Sequence, residues 1–103
     1  MFEVLTTAEF DKDFGKLDNS IKMRVDKAIE QLRASPYTGK PLDYEFFREK
    51  KIGKLRIYYL IYEAFLVVFV IAISDKKDQQ ATIDKVTQLI PFYREESKKM
   101  FKR

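Results

Sequence analysis

The sequence FFREKKIGKLRIYYLIYEAFLVVFVIAI, at residues 46–73, decides the fold of the chain. It contains three runs that are typical of β-strands, at residues 46–52, 55–62 and 65–73. The last run has nine consecutive apolar residues, most of them β-branched or aromatic. Because this composition suits a strand covered on both faces, we predict that residues 65–73 form a buried central strand.

Two dipeptides separate these runs. Gly53-Lys54 joins the first two, and Gly53 can take the positive φ that a tight turn usually requires. Glu63-Ala64 has the length of a tight hairpin turn, although neither residue is a preferred turn former. The stretch therefore predicts a three-stranded antiparallel meander that ends with the apolar run.

The residues before this stretch predict a short strand at residues 2–5 and two helices. Thr6 and Glu9 fit a capping box that begins the first helix, with Thr6 as the N-cap. The second helix begins at Ser20 and ends before Pro36, because the residue ahead of a proline avoids the α region. Apolar residues recur at helical spacing at Phe10, Phe14, Leu17, Ile21, Val25, Ala28, Ile29 and Leu32. We expect the two helices to form a helical hairpin that covers one face of the sheet.

Residues 36–41 are rich in turn formers and predict a connecting loop. After the apolar run, a third helix is expected to begin near Asp78 or Gln79 and to be ended or kinked by Pro91. Residues 92–103 then form either a basic C-terminal tail or a helix extension. The order β-α-α-β-β-β-α predicts an α+β fold, with the helical hairpin packed on a small, mainly antiparallel sheet. We interpret residues 1–103 as a single domain.

The composition of the chain excludes several kinds of site. Its 103 residues include no cysteine and no histidine, which removes thiolate chemistry, the usual general base and the usual transition-metal ligands. We therefore expect no metal and no cofactor. The longest apolar run is about half of the roughly 20 residues that a membrane-spanning helix needs, and the first residues lack the pattern of a signal peptide. We expect a cytoplasmic protein with no membrane partner.

Basic residues concentrate at the first turn of the meander. The single acid Glu49 stands among Arg48, Lys50, Lys51, Lys54 and Arg56. Strand alternation places Glu49 and Lys51 on one face of the strand, and Arg48 and Lys50 on the other. Two interpretations remain open: a surface that binds an anionic partner, or lysines that protect an edge strand from aggregation.

Two segments carry a resemblance to a known family. The first runs from Ser35-Pro36 to Gly39-Lys40-Pro41-Leu42 and follows the helical hairpin. The second is KIGKLRIYY, residues 51–59, which is similar to a basic-x-Gly-x-x-Arg-x-x-Tyr pattern. With VVFVI at residues 67–71 and the order of elements, they resemble the RelE/ParE toxin superfamily over nearly the full length. Its members are the small toxins of bacterial and archaeal toxin–antitoxin pairs.

The resemblance implies a function and a set of site residues. RelE-type members are ribosome-dependent endoribonucleases, in which the 2′-hydroxyl of the messenger RNA attacks the adjacent phosphate. A cognate antitoxin neutralises them. By correspondence with the family, Arg56, Lys76 and Lys51 are the candidate catalytic residues that hold the phosphate and stabilise its charge. The candidate RNA-binding residues are Arg48, Lys50, Lys54 and Lys77.

The sequence also departs from the family pattern. Thr82 stands where several members carry a tyrosine, and no histidine is present. Glu49 occupies a position where a second cation is expected, so it is misaligned, exposed or the general base. Arg56 could instead be a structural partner for an acid on an adjacent strand. These departures keep a second interpretation open: a ParE-like gyrase inhibitor, or a protein that binds only nucleic acid or an antitoxin.

Overall fold

The computed structural model describes residues 1–101 of the chain, with side chains as far as Lys99. Residues 102–103 of the predicted tail lie outside the described residues. The elements are β1 (Glu3–Thr6), α1 (Ala8–Gly15), α2 (Asn19–Leu32), β2 (Lys40–Pro41), β3 (Phe47–Ile52), β4 (Leu55–Tyr62), β5 (Val67–Asp75) and α3 (Gln79–Phe101). Short 3₁₀ turns occur at Pro36–Thr38 and Glu63–Phe65.

These strands form one sheet in the order β1-β5-β4-β3-β2. Strands β3, β4 and β5 form the predicted antiparallel meander, and β1 pairs with β5 in parallel. The sheet is therefore mixed but mainly antiparallel, as predicted. The apolar run forms β5, which lies between β1 and β4 and is buried from Val67 to Ile71.

Helices cover both faces of the sheet. The hairpin of α1 and α2 packs on one face, and its core comprises Phe10, Val25, Ala28 and Leu32 against Ile57, Tyr59, Ile61, Val68 and Val70. Helix α3 packs on the opposite face, where Ile83, Val86 and Ile90 contact Phe47, Tyr58, Leu60, Val67, Phe69 and Ile71. This second cover explains why β4 is buried at consecutive positions and does not alternate between apolar and polar residues.

The predicted start of α1 is wrong by one residue. Thr7, and not Thr6, is the N-cap, and its side chain accepts a hydrogen bond from the Phe10 amide at 3.0 Å. Thr6 still belongs to β1, where it pairs with Val70, so its backbone cannot also begin the helix. The Thr7 hydroxyl donates to the Ile71 carbonyl at 2.8 Å, which ties the start of α1 to β5.

Two further boundaries differ from the prediction. The connection from β4 to β5 is not a two-residue turn: it is the 3₁₀ turn Glu63–Phe65 followed by Leu66 with φ 54°. Helix α3 does not end at Pro91 but continues to Phe101. Residues after the proline pack against the fold: Tyr93 lies 6.2 Å from Phe69 between ring centroids, and Ser97 is fully buried. Within the described residues, no helix has the length and apolar character needed to span a membrane.

Candidate functional site

The β3–β4 turn and the residues after β5 enclose an open depression of about 360 Å³. Its lining consists of Lys51, Gly53, Lys54, Arg56, Asp75, Lys76 and Lys77. The strand register explains this grouping, because Lys51 lies opposite Arg56 and Arg56 lies opposite Ser74. Five positive side chains therefore surround one carboxylate at a single end of the sheet.

The structure brings together five of the candidate residues and separates three. The candidate catalytic residues Lys51, Arg56 and Lys76 all line the depression, and the candidate RNA-binding residues Lys54 and Lys77 lie beside them. Gly53 has φ 60°, as predicted for the turn that presents this hairpin. Arg48, Lys50 and Glu49 are not part of the lining.

Arg56 is almost buried, but its side chain forms no hydrogen bond with a described side chain or backbone group. Its relative exposure is 8%, and its nearest acid is Glu49, at 3.9 Å from Nε to Oε1. This distance is too long for a hydrogen bond. The nitrogen atoms of Arg56 remain reachable from solvent. A guanidinium has five N–H donors in a fixed fork, so Arg56 offers donors to an anion that enters the depression.

Arg48 is equally buried but uses its donors within the protein. Its Nε donates to the Glu45 carbonyl at 2.9 Å, and Nη1 donates to the carbonyls of Tyr37 and Gly39 at 3.0 and 2.9 Å. Its Nη2 pairs with the Glu45 carboxylate, and its guanidinium lies over the Tyr37 ring. These bonds use four of the five N–H donors of Arg48, so its guanidinium fixes the segment around residues 37–39 and is largely committed within the protein.

Lys50 lies on the same side of β3 as Arg48. Its Nζ donates to the Thr38 hydroxyl at 3.1 Å. The alternation predicted from the sequence is thus correct, and it separates these two residues from Lys51. Their role in RNA binding stays a prediction, and it would use a surface separate from the depression.

Glu49 lies beneath the depression and is 8% exposed, so it is neither exposed nor distant from Arg56. Its Oε2 accepts a hydrogen bond of 2.7 Å from Nε2 of Gln79, the first residue of α3. Nearby, the Ser74 hydroxyl donates to the Asp75 carbonyl at 3.0 Å, so the Tyr58 hydroxyl donates to Ser74 at 2.8 Å. Burial raises the pKa of the Tyr58 hydroxyl, which keeps it protonated as that donor.

Sequence reasoning missed Gln79, Ser74 and Tyr58 as neighbours of the site. Tyr58 and Ser74 could have been found from the register of the meander, since they face the same side as Arg56. Gln79 carried no signal, because its position depends on how α3 returns over the sheet.

The four lysines of the depression are exposed, and none of their side chains forms an ion pair or hydrogen bond with a described residue. Thr82, at the position matched to a family tyrosine, does not line this depression. Its hydroxyl donates to the Asp78 carbonyl at 2.8 Å. Within the described residues, no cluster of three carboxylates could hold a metal ion.

A family model described as the ParE toxin of type II toxin–antitoxin systems matches residues 4–80. The chain belongs to the RelE/ParE toxin superfamily. The match covers both helices of the hairpin, the strands except for the first residue of β1, and the whole basic depression. The resemblance predicted from the sequence is thereby confirmed. No curated protein matches the chain significantly.

Solved structures of RelE toxins share the fold of this superfamily member. A mutant of Escherichia coli RelE in the free state has a TM-score of 0.73 at 17% identity, covering 86% of this chain and 98% of that chain. The Mycobacterium tuberculosis toxin–antitoxin complex RelBE2 gives 0.66 at 24% identity, with coverage of 73% and 98%. The intact Escherichia coli RelBE complex gives 0.67 at 19% identity, with coverage of 73% and 96%. At these identities the likeness concerns the fold.

Proposed function

We propose that the chain is the toxin of a type II toxin–antitoxin pair and that it cuts ribosome-bound messenger RNA. The observation that supports this most strongly is Arg56, a buried guanidinium without a hydrogen bond at the floor of a depression rimmed by unpaired lysines. Water reaches these nitrogens, and the nearest acid, Glu49, stays 3.9 Å away. An RNA phosphate would give the guanidinium charged acceptors at hydrogen-bond distance, which bind it more strongly than neutral acceptors do.

The chemistry uses electrostatic stabilisation by this set of cations. The 2′-hydroxyl of the nucleotide attacks the adjacent phosphorus, the bond from phosphorus to the 5′ oxygen breaks, and a 2′,3′-cyclic phosphate remains. One proton leaves the 2′-hydroxyl and one is taken up by the 5′ oxygen. Arg56 binds the non-bridging oxygens with its fork, and Lys51 and Lys76 act as point charges. Their attraction is strongest in the pentacovalent transition state, in which the negative charge on these oxygens grows.

The partner proposed for this toxin is an antitoxin protein. The Escherichia coli and Mycobacterium tuberculosis relatives were solved as toxin–antitoxin complexes. The other partners in this proposal are the ribosome and its messenger RNA. Lys54 and Lys77 extend the positive surface beyond one phosphate, as contacts to a nucleic-acid backbone require.

Primer extension on messenger RNA from a translating extract tests the nuclease. We expect purified wild-type protein to produce cuts at ribosome-occupied codons, and we expect these cuts to be absent with Arg56→Ala. Circular dichroism must show that the variant is folded. If folded wild-type protein leaves the messenger RNA uncut at every codon, the proposal is contradicted.

A second candidate is inhibition of DNA gyrase. It is favoured by the family model that matches, which is the ParE model, and by Thr82 at the position of the family tyrosine. This candidate predicts intact messenger RNA together with loss of supercoiling when the protein is added to purified gyrase and relaxed plasmid.

A further inference from the structure

Glu49 lies between Arg56 and the start of helix α3, in a short, partly buried chain of polar groups. Gln79 donates to Glu49 Oε2 at 2.7 Å, and Glu49 Oε1 faces Arg56 Nε at 3.9 Å. The side chains of Glu49 and Arg56 are only 8% and 9% exposed. The chain therefore links the first residue of α3 to the cation at the floor of the depression.

The contact between Glu49 and Arg56 leaves the terminal nitrogens of the guanidinium open to a phosphate. Glu49 faces the Nε edge of the guanidinium and forms no hydrogen bond with its two terminal nitrogens. A bidentate pair through those nitrogens would occupy the fork that a phosphate needs. Gln79 donates to Oε2, and Oε1 is the oxygen that pairs with Arg56. Attraction at 3.9 Å in a partly dry site is enough to bias the orientation of the guanidinium, but it leaves the N–H donors open.

We propose that Glu49 and Gln79 are positioning residues, with Gln79 holding Glu49 and Glu49 orienting Arg56 for the phosphate. This inference rests on the proposed function of the depression. It differs from the role of general base that the sequence left open for Glu49. A base must come within hydrogen-bond reach of the 2′-hydroxyl. Glu49 is not among the residues that line the depression, and its carboxylate is held by Gln79 and faces Arg56, so we expect it to act through Arg56.

Phosphate binding observed at Arg56 itself tests the inference. The probe is inorganic phosphate, and the signal is the ¹H–¹⁵N resonance of Arg56 Nε, assigned by its loss in Arg56→Lys. We expect a saturable shift in the wild-type protein. Gln79→Ala should weaken phosphate affinity about tenfold, in the range of couplings between residues of one network. The matched control is Gln80→Ala, since Gln80 also donates from α3 to a carboxylate, that of Asp84, but on the exposed side.

A double-mutant cycle separates positioning from a merely structural role. Residual phosphate affinity is measured by following the backbone amide resonances of Gly53 and Lys54. In the Arg56→Ala background, Gln79→Ala should cause no further loss, because the residue through which Gln79 acts is gone. An equal tenfold loss in that background would overturn the inference. So would a Gln79→Ala protein that binds phosphate as Gln80→Ala does.

Glu49→Gln serves as the second variant because it is nearly isosteric and leaves an oxygen for Arg56. It should weaken phosphate binding to the same extent as Gln79→Ala. In the cleavage assay it should slow the reaction by a similar factor at every pH. A cleavage rate that becomes independent of pH in Glu49→Gln would identify Glu49 as the base and overturn the positioning role. If the phosphate results hold but no variant and no wild-type protein cuts messenger RNA, the proposed nuclease fails while Glu49 and Gln79 still orient Arg56.

Discussion

At the scale of single residues, the molecule uses two buried arginines in opposite ways. Arg48 and Arg56 are 6% and 8% exposed, and both come from the basic hairpin. The guanidinium of Arg48 donates hydrogen bonds to backbone carbonyls and to Glu45, whereas the guanidinium of Arg56 has no hydrogen bond within the described structure. Lys51 lies opposite Arg56, so strand alternation in β3 puts Arg48 and Arg56 on opposite faces of the sheet. The sequence cannot show which of the two arginines meets backbone carbonyls, because that depends on how residues 36–41 fold back.

This difference predicts opposite effects of alanine substitution on stability. Arg48→Ala should lower the free energy of unfolding by about 3 kcal/mol, because the buried carbonyl of Gly39 and the partly buried carbonyl of Tyr37 lose their donor. Arg56→Ala breaks no side-chain hydrogen bond and removes only the 3.9 Å pair with Glu49, so it should lower the free energy of unfolding by less than Arg48→Ala does. Urea denaturation followed by circular dichroism measures both values. If Arg56→Ala lowers the free energy of unfolding more than Arg48→Ala does, Arg56 is the arginine that stabilises the fold.

Tyr62 carries a buried hydroxyl that has no hydrogen-bond partner in the described structure. Tyr62→Phe removes this unsatisfied group, so at neutral pH we expect the free energy of unfolding to rise by about 1 kcal/mol. Thermal denaturation of the two proteins at matched buffer conditions measures the change. A loss of stability in Tyr62→Phe would mean that the hydroxyl is satisfied in solution.

The same hydroxyl predicts a pH dependence. Burial raises the pKa of Tyr62 from 10.0 to about 12, so the unfolded chain loses this proton first as the pH rises. Stability is therefore fully present below pH 10 and falls between pH 10 and about 12. Urea midpoints across this range should fall less steeply in Tyr62→Phe than in the wild-type protein. Parallel slopes would contradict the raised pKa.

At the scale of elements, the sequence predicts the three strands of the meander, but it predicts only part of the helical packing on the two faces of the sheet. Leu55–Tyr62 and the apolar run predict their strands directly, because β-branched and aromatic residues at this density favour the β-strand. Helix α3 was predicted to end or bend at Pro91, since proline removes a helical hydrogen bond. The burial of Ser97 and the packing of Tyr93 depend on tertiary contacts that the local sequence does not encode. Strand β2 was also missed, because its two residues are too few to show a strand pattern.

The segment that precedes β2 predicts a sharp steric limit at Gly39. A Cβ at Gly39 would collide with the Tyr59 hydroxyl and lie 2.8 Å from the Glu49 carbonyl. The Gly39 amide also donates to that hydroxyl at 3.0 Å. We therefore expect Gly39→Ala to lower the free energy of unfolding by about 2 kcal/mol, as overpacking does.

Gly15→Ala is the matched control, because a Cβ at Gly15, the last residue of α1, meets no atom within 4 Å. It should be neutral or stabilising by up to about 1 kcal/mol. Differential scanning calorimetry compares the two variants. Equal unfolding temperatures would contradict the close packing of Gly39 against Tyr59.

At the scale of the whole molecule, charge is concentrated where the sheet ends. The chain has a net charge of +4, and the depression alone holds five cations and one acid. Composition predicts an anionic partner of some kind but cannot locate it. The location follows from the register that sets Lys51 beside Arg56 and from the turn after β5 that brings Lys76 and Lys77 to the same end.

This arrangement predicts how salt affects RNA binding. Lys54→Ala and Lys77→Ala should each weaken the binding of a single-stranded RNA oligonucleotide and reduce the slope of log affinity against log salt by about 0.7. Lys12→Ala, in helix α1 and outside the depression, is the control and should leave the slope unchanged. Fluorescence anisotropy at several salt concentrations gives the slopes. An equal change in Lys12→Ala would mean that the whole surface, and not the depression, attracts RNA.

The most direct test of the central claim is the single-turnover rate at which the protein cuts messenger RNA on purified ribosomes. If Arg56 stabilises the transition state, Arg56→Ala should slow this rate by about 100-fold to 1,000-fold. Lys12→Ala should cut at the wild-type rate. A folded Arg56→Ala protein that cuts as fast as the wild-type protein would contradict the account, since the phosphate would then be held somewhere other than the depression.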